Sequence, residues 1–349
     1  MLPVAQIAQE EGPSKLMGDL TVDAAQTSFM CILYIALGFT SIICNSLNLW
    51  IWLSNRDLRR KYLYLMALDA GEFVNGISYV LCGSGRGLGL ITGRLSQPIT
   101  VRQCYFNMYW PHSLILGTEL PSFGIILIAC ERLCAVLRPA AYKRIFMGQT
   151  KYFLLAIIPT GGIISTIVGG LSALGREGDV LVKTQHCAII NSTAIWYSTF
   201  HFVFIVLAYV ISFISIFIVW RISQKFTRGK VGGENRLGIM LMITGSSIFL
   251  VGSESIVMIF IKWGVYAFPD LVVALTYAMP GFLSLFNTTI NFIFRSEFRN
   301  QFFRLINVKD PLANSSNSKG HVWVQPLPSK FTFTITHPSH PIKTQMTAA

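Results

Sequence analysis

The sequence predicts an all-α fold: a seven-helix transmembrane bundle with its N-terminus outside, a short amphipathic eighth helix and a disordered C-terminal tail. Three observations carry that reading. Seven uncharged or nearly uncharged runs fill residues 27–294. A helix needs about 20 mainly apolar residues to cover the ~30 Å hydrocarbon core, and a buried soluble helix rarely sustains that length. Composition agrees, because 52% of the residues are hydrophobic and only 13% charged, whereas a soluble chain carries about 25% charged residues. The net charge of +12 resembles a nucleic-acid footprint until its placement is considered. Taking alternate connections, one side holds 21 of the 28 Lys and Arg residues and the other holds 7. Short loops rich in Lys and Arg stay cytoplasmic, which sets the N-terminus outside and the tail inside. The basic rim then meets anionic membrane lipids and acidic partners, and no nucleic acid is expected.

Residues 1–26 are expected to form an extracellular N-terminal segment. They are acidic (Glu10, Glu11, Asp19, Asp23) and lack a basic flank followed by an apolar stretch. No cleavable signal peptide is therefore expected, and the first helix acts as its own insertion signal. The membrane domain is expected over 27–306, with helices at 27–53, 62–82, 105–130, 152–174, 194–220, 237–261 and 271–294. The longest loops, 83–104 and 175–193, fall on the outer side. After the seventh run, Phe298, Phe302 and Ile306 recur at i, i+4 and i+8 with Arg295, Arg299 and Arg304 between them. That is the pattern of a helix lying along an anionic leaflet. No cysteine follows it, so palmitoylation there is not expected. Residues 307–349 are rich in Ser, Thr, Asn, Pro and Lys. Such a segment buries too little apolar surface to offset its ordering entropy, and a disordered cytoplasmic tail is expected.

Of seven cysteines, Cys31, Cys44, Cys130 and Cys134 fall in or at the inner ends of helices, where a thiol is a small apolar filler. Cys104 and Cys187 fall on the oxidising side and are the favoured bridge. Cys82 competes for either, and an odd count leaves one thiol free. Three sequons occur, headed by Asn191, Asn287 and Asn314. Only Asn191 falls outside, and it abuts the fifth helix, so none is expected to carry sugar. There is no His-Glu-x-x-His, glycine-rich phosphate loop, nucleophile elbow or metal-spaced Cys/His cluster. His112, His186 and His201 are scattered, and neither catalysis nor a metal or cofactor is expected.

Local motifs add a resemblance. Cys44-Asn45 is similar to the Gly-Asn of the first helix in rhodopsin-like (class A) G-protein-coupled receptors. Glu131-Arg132-Leu133, with Pro139 eight residues after the Glu, resembles the Asp/Glu-Arg-Tyr end of their third helix and the proline of the following loop. Asn287-Thr288-Thr289-Ile290-Asn291, followed by Phe298-Arg299, resembles their Asn-Pro-x-x-Tyr motif and the start of their eighth helix. The chain departs from the pattern by lacking the Pro and Tyr of that motif. It also carries Val251-Gly252-Ser253-Glu254 where the family places Cys-Trp-x-Pro, and lacks the usual Trp and Pro of helices four and five. Divergence of this kind resembles the nematode serpentine chemoreceptors and orphan receptors. The resemblance implies a plasma-membrane receptor that converts an extracellular ligand, a chemosensory small molecule or peptide, into heterotrimeric G-protein activation, with kinase or arrestin meeting the tail.

Beside that resemblance stands the chemistry of particular residues. Arg132 at the inner mouth is expected to pair with Glu131 and, across the bundle, with Glu234. Such a pair holds only while the helices are together, which makes a latch, and the guanidinium is then free to cap a docking helix. Four carboxylates lie within the spans, Asp69, Glu72, Glu119 and Glu254, each costly if ionised and unpaired. Asp69 and Glu72 share a helical face, and one of them is expected to join Asn45, Ser122, Asn287 and Asn291 in a polar core filled by water or sodium. Simple hydrogen-bond glue between helices is the competing reading. Pro121 bends the third helix beside Glu119. Glu119 and Glu254 are therefore expected to face a ligand cavity and take a cationic or hydrogen-bonding group, with Trp110, His112, Tyr197, His201 and Tyr277 nearer its mouth. The same four acids support a runner-up function, an ion-coupled transporter or ligand-gated channel.

Overall fold

The computed structural model describes residues 24–226, 234–266, 268 and 270–307. The expectations for 1–23, 227–233 and 308–349, including the disordered tail and the Asn314 sequon, lie outside the described residues. Eight principal helices follow one another: α1 (Ala24–Ser54), α2 (Leu63–Ile91), α3 (Trp110–Leu137), α4 (Thr150–Ala173), α5 (Ile195–Phe226), α6 (Glu234–Lys262), α7 (Asp270–Phe294) and α8 (Ser296–Leu305). Helices α1 to α6 each contain a stretch long and apolar enough to cross a membrane. The 25 residues of α7 rise roughly 37 Å at 1.5 Å per residue, enough for the hydrocarbon core. The chain is a multi-pass membrane protein of the seven-helix class. Its outward surface agrees, since Ile163, Ile164, Ile167 and Leu171 on α4 and Phe200, Leu207 and Ile211 on α5 are exposed. In water such stripes would aggregate; against acyl chains they incur no penalty.

Lipid tails are as apolar as leucine, so helix association relies on close packing through small residues. A Cβ added to Gly38 on α1 would stand 2.7 Å from the carbonyl oxygen of Gly76 on α2. One added to Gly71 would stand 2.9 Å from the backbone nitrogen of Pro121 on α3. Two large apolar clusters result, one around Tyr34, Tyr79, Trp110, Ile115 and Met258, the other around Ile51, Trp52, Leu68, Ile128, Leu283 and Phe298, with a smaller one of Ile239, Ile243 and Ile290. Buried polar residues, among them Ser41, Asn45, Ser122 and Ser284, accompany them.

The third and fifth helices run on to Leu137 and Phe226, past the expected 130 and 220, and two larger departures stand out. The second helix does not stop at Cys82 but continues through the glycine-rich run to Ile91. The third is interrupted: Val101–Asn107 is a separate helix with a capping box between Thr100 and Gln103. Met108 is then extended, and α3 begins at Trp110 with Pro111 in its first turn, where a missing N–H is no loss. Beside this short helix, β1 (Ile99–Thr100) pairs antiparallel with β2 (Leu181–Val182). Cys104 is joined to Cys187 across a Cα separation of 5.4 Å. At the opposite end α8 seats its buried Phe298 on Trp52, ring centroids 4.8 Å apart, and Lys61 Nζ meets Glu297 Oε1 at 2.7 Å.

Candidate functional site

A cavity opens among α1, α2, α3, α6 and the disulfide-bearing loop. Its walls are Tyr34, Asn75, Tyr79, Cys82, Arg86, Leu114, Thr118, Ile189 and Glu254, and its interior is narrow. Arg86 and Glu254 are each only 5% exposed, so one cavity holds a buried cation and a buried anion. Arg86 is fixed by its surroundings: Nε donates to the carbonyl of His186 at 2.8 Å, and the guanidinium carbon stands 5.8 Å from the Tyr34 ring centre. Trp110 Nε1 donates to the same carbonyl at 3.1 Å. Two α-helices thereby grip the residue next to the disulfide, and the loop is held over the cavity. Burial, and secondarily the Arg86 charge, pushes the His186 imidazole down to about 4, so it is neutral at ordinary pH.

The other expected cavity residues fall elsewhere. Glu119, His201 and Tyr197 form a sealed network joining α3, α4 and α5. His201 Nδ1 lies 2.8 Å from Glu119 Oε1, which also accepts from Ser165 Oγ at 2.9 Å. Tyr197 Oη donates to the Ser165 carbonyl at 2.9 Å. On the other side of the ring, His201 Nε2 meets Thr118 Oγ1 at 3.2 Å, while that hydroxyl is within 2.9 Å of the Leu114 carbonyl to which it donates. Thr118 also lines the cavity, so this network begins at the cavity wall. His112 packs its ring on Tyr105, centroids 4.2 Å apart, away from the cavity walls. The Tyr277 side chain lies outside the described residues.

Below the cavity the expected polar core divides in two. Asn45 Nδ2 donates to the Ser41 carbonyl and to Ser284 Oγ, both at 2.9 Å. Ser284 Oγ in turn lies 3.4 Å from Glu72 Oε2 and 2.7 Å from Ser41 Oγ. Glu72 is thus the acid on this hub, and Ser284 is the α7 group that meets it. Asp69 instead accepts from Trp52 Nε1 at 2.9 Å, in a corner where Arg295 lies over the rings of Trp52 and Tyr62. Ser122 donates to the Thr118 carbonyl of its own helix at 2.7 Å. Asn287 and Asn291 are buried on α7, and the Asn291 amide makes no side-chain hydrogen bond among the described residues.

At the far end of α3, Arg132 Nε lies 3.2 Å from Glu131 Oε2, a charge contact without an aligned hydrogen bond. Glu131 is 6% exposed and accepts from Tyr142 Oη at 3.3 Å. Tyr142 belongs to the short helix Pro139–Ile145 that follows α3. Burial, then the Glu131 carboxylate, raises its phenol above the ordinary value, so it remains a donor. The Glu234 side chain lies outside the described residues.

Residues that the sequence did not single out complete each arrangement: Arg86, Tyr34 and Tyr79 at the cavity, Ser165 in the sealed network, Ser41 and Ser284 at the hub, Trp52 and Tyr142 beside the acids. Only Arg86 carried a signal of its own, as a charge followed by an apolar run, and the surrounding glycines disguised it as a loop residue. None of the curated proteins matches the chain. A family model described as Srg family chemoreceptor matches residues 120–302, just over half of the 349.

Proposed function

Because the chain belongs to the Srg family of chemoreceptors, we propose that it is a plasma-membrane receptor whose cavity binds a small extracellular ligand and whose Arg132 end activates a heterotrimeric G protein. The observation that carries this reading is the cavity itself. It is walled by both α3, through Leu114 and Thr118, and α6, through Glu254, beneath a loop held by Cys104–Cys187. An occupant that grips α6 differently in two bundle states biases the relation of α6 to α3. Thr118 and Arg132 lie on the same helix, 14 residues apart, roughly 21 Å at 1.5 Å per residue. A rigid shift of α3 against α6 at the cavity is therefore carried to the Glu131–Arg132–Tyr142 cluster.

Orientation follows from two independent features. The disulfide favours an oxidising compartment for its end of the bundle, and most Lys and Arg residues flank the opposite end. The N-terminus is accordingly extracellular and the tail cytoplasmic, with α8 against anionic lipid. A transporter or channel would use its membrane acids as an ion path. Here Asp69, Glu72 and Glu119 each engage a different partner, Trp52, Ser284 and His201, which favours the receptor reading.

The deciding experiment is a ligand screen in cells that express the chain with a promiscuous G protein. Ligand-evoked second-messenger change, and ligand affinity that falls on adding guanine nucleotide, support the receptor. Ligand-evoked current or uptake in G-protein-free liposomes, without either response, supports the transporter or channel.

A further inference from the structure

Resting on the reading of the Arg132 end as cytoplasmic, we propose that the short helix Pro139–Ile145 and the base of α4 form a docking surface for anionic phospholipid headgroups, built from Lys143, Arg144 and Lys151 with Met147, Tyr152 and Phe153 beside them. Charge complementarity commits the surface to that partner. No Asp or Glu occurs between Glu131 and Glu177, and none of the three cations forms an ion pair among the described residues. The inner loop between α1 and α2 differs: its helix Arg56–Lys61 carries Asp57, and Lys61 is paired with Glu297. Each Lys or Arg beside an anionic leaflet adds roughly fivefold to the attraction, so three cations without an acid partner make a strong local preference.

The packing shows which side of the segment is free. Tyr142 and Phe146 stand four residues apart, hence on one face, and that face is fastened to the bundle. Tyr142 Oη donates to Glu131 at 3.3 Å. The Phe146 ring lies 5.8 Å from that of Tyr64, whose hydroxyl donates to the Phe146 carbonyl at 3.3 Å. Arg144, two residues from each, falls on the opposite face, and both it and Lys143 are exposed. α4 buries no residue before Ile158, and Phe153, 72% exposed, stands at the foot of its acyl-facing stripe, in line with the exposed Ile157 and Ile164. Lys151 Nζ lies 5.0 Å from the centre of the Tyr152 ring, and a tyrosine beside an ammonium suits the headgroup level, where one end is apolar and the other wet. The acyl region thus begins at Phe153, and the cations stand where lipid phosphates and carboxylates lie. That continuity with the lipid-facing stripe favours lipid over a G protein as the occupant. Docked, the segment keeps Tyr142 on Glu131, and anionic lipid favours the closed latch.

The test uses the full-length protein in nanodiscs of phosphatidylcholine alone or of an equal mixture of phosphatidylcholine and phosphatidylserine. Backbone hydrogen exchange over residues 139–149 reports docking. Both leaflets of a nanodisc carry the same lipids, so the result does not depend on which end of the bundle is cytoplasmic. Phosphatidylserine should slow exchange over 139–149 at least fivefold. Lys143→Gln combined with Arg144→Gln should remove most of that slowing, whereas Arg59→Gln combined with Arg60→Gln, which takes the same charge from the other inner loop, should keep it. The response of the parent chain to lipid needs no mutation and decides the matter if a variant misfolds. Equal exchange in the two lipids, equal loss of slowing in the two double variants, or slowing that appears only when a G protein is added overturns the proposal. Nucleotide-exchange assays separate it from the reading beneath it. Slowing by phosphatidylserine in a protein that never stimulates a heterotrimeric G protein leaves the lipid surface standing and sinks coupling. Stimulated nucleotide exchange, with amides over 139–149 indifferent to phosphatidylserine, keeps the receptor and overturns the lipid surface.

Discussion

His201 and Glu119 meet at 2.8 Å with side chains 0% and 1% exposed, a pairing that fastens α5 to α3 inside the bundle. Removing one partner strands the other. His201→Ala should destabilise the protein by about 3–5 kcal/mol, the usual cost of breaking a buried pair, whereas removing both partners should cost much less than the sum of the two singles. Thermal unfolding of the purified protein and its double-mutant cycle checks this, and additive effects would contradict it.

His186 supplies a pH dependence. Its imidazole is held at about 4 in the folded chain against about 6.5 when unfolded. Between these values the unfolded state binds more protons. Stability therefore rises with pH across that window and is lost as pH falls through it, by at most about 3 kcal/mol. His186→Gln should flatten this part of the stability profile measured from pH 4 to 7.

The Cys104–Cys187 bridge predicts a specific peptide map. Mass spectrometry of non-reduced digests should return that pair, with Cys82 a free thiol that reacts only on unfolding because it is 2% exposed. Cys104→Ala should cost about 2–5 kcal/mol. A Cys82–Cys187 peptide without the Cys104–Cys187 product would contradict the assignment.

Glu72 and Asp69 should separate by phenotype. Glu72 shares Ser284 with Asn45, linking α2, α7 and α1, so Glu72→Gln is expected to alter signalling with surface expression retained. Asp69 holds Trp52 at the corner where Phe298 of α8 docks. Asp69→Asn is therefore expected to reduce expression and thermal stability by about 1–3 kcal/mol, with signalling per surface molecule unchanged. Flow cytometry of surface protein alongside a second-messenger assay distinguishes the two, and identical losses in both variants would contradict the division.

The long apolar runs were legible because a bilayer imposes a minimum length on any helix that crosses it. The ends were not. The run Gly83–Gly89 reads as a loop by the rules of water-soluble helices, where glycine weakens the helix. In lipid the same glycines admit close neighbours, and a Cβ on Gly83 would stand 2.8 Å from the Cys31 carbonyl oxygen. The interruption before Trp110 was hidden because the expected run from 105 to 130 joins the end of Val101–Asn107 to α3. Pro111 was its only mark. At the candidate sites the carboxylates stood out, since charge in a membrane is rare. Their donors did not, because serines and tryptophans are common and only the packing of α1 on α7, or of α3 on α4, selects Ser284 and Ser165 from the rest.

The central claim, signal transfer from the cavity to the Arg132 end, is tested most directly by ligand-independent nucleotide exchange. Membranes from cells expressing the parent chain, Glu131→Gln or Arg132→Ala together with a heterotrimeric G protein are compared at equal receptor density. Glu131 is held by both Arg132 and Tyr142, and a latch of about 1–3 kcal/mol shifts a two-state population roughly 5- to 150-fold. Glu131→Gln should raise basal exchange at least fivefold, and Arg132→Ala should bring exchange to or below the parent rate. Parent-like exchange in both properly expressed variants would contradict the account.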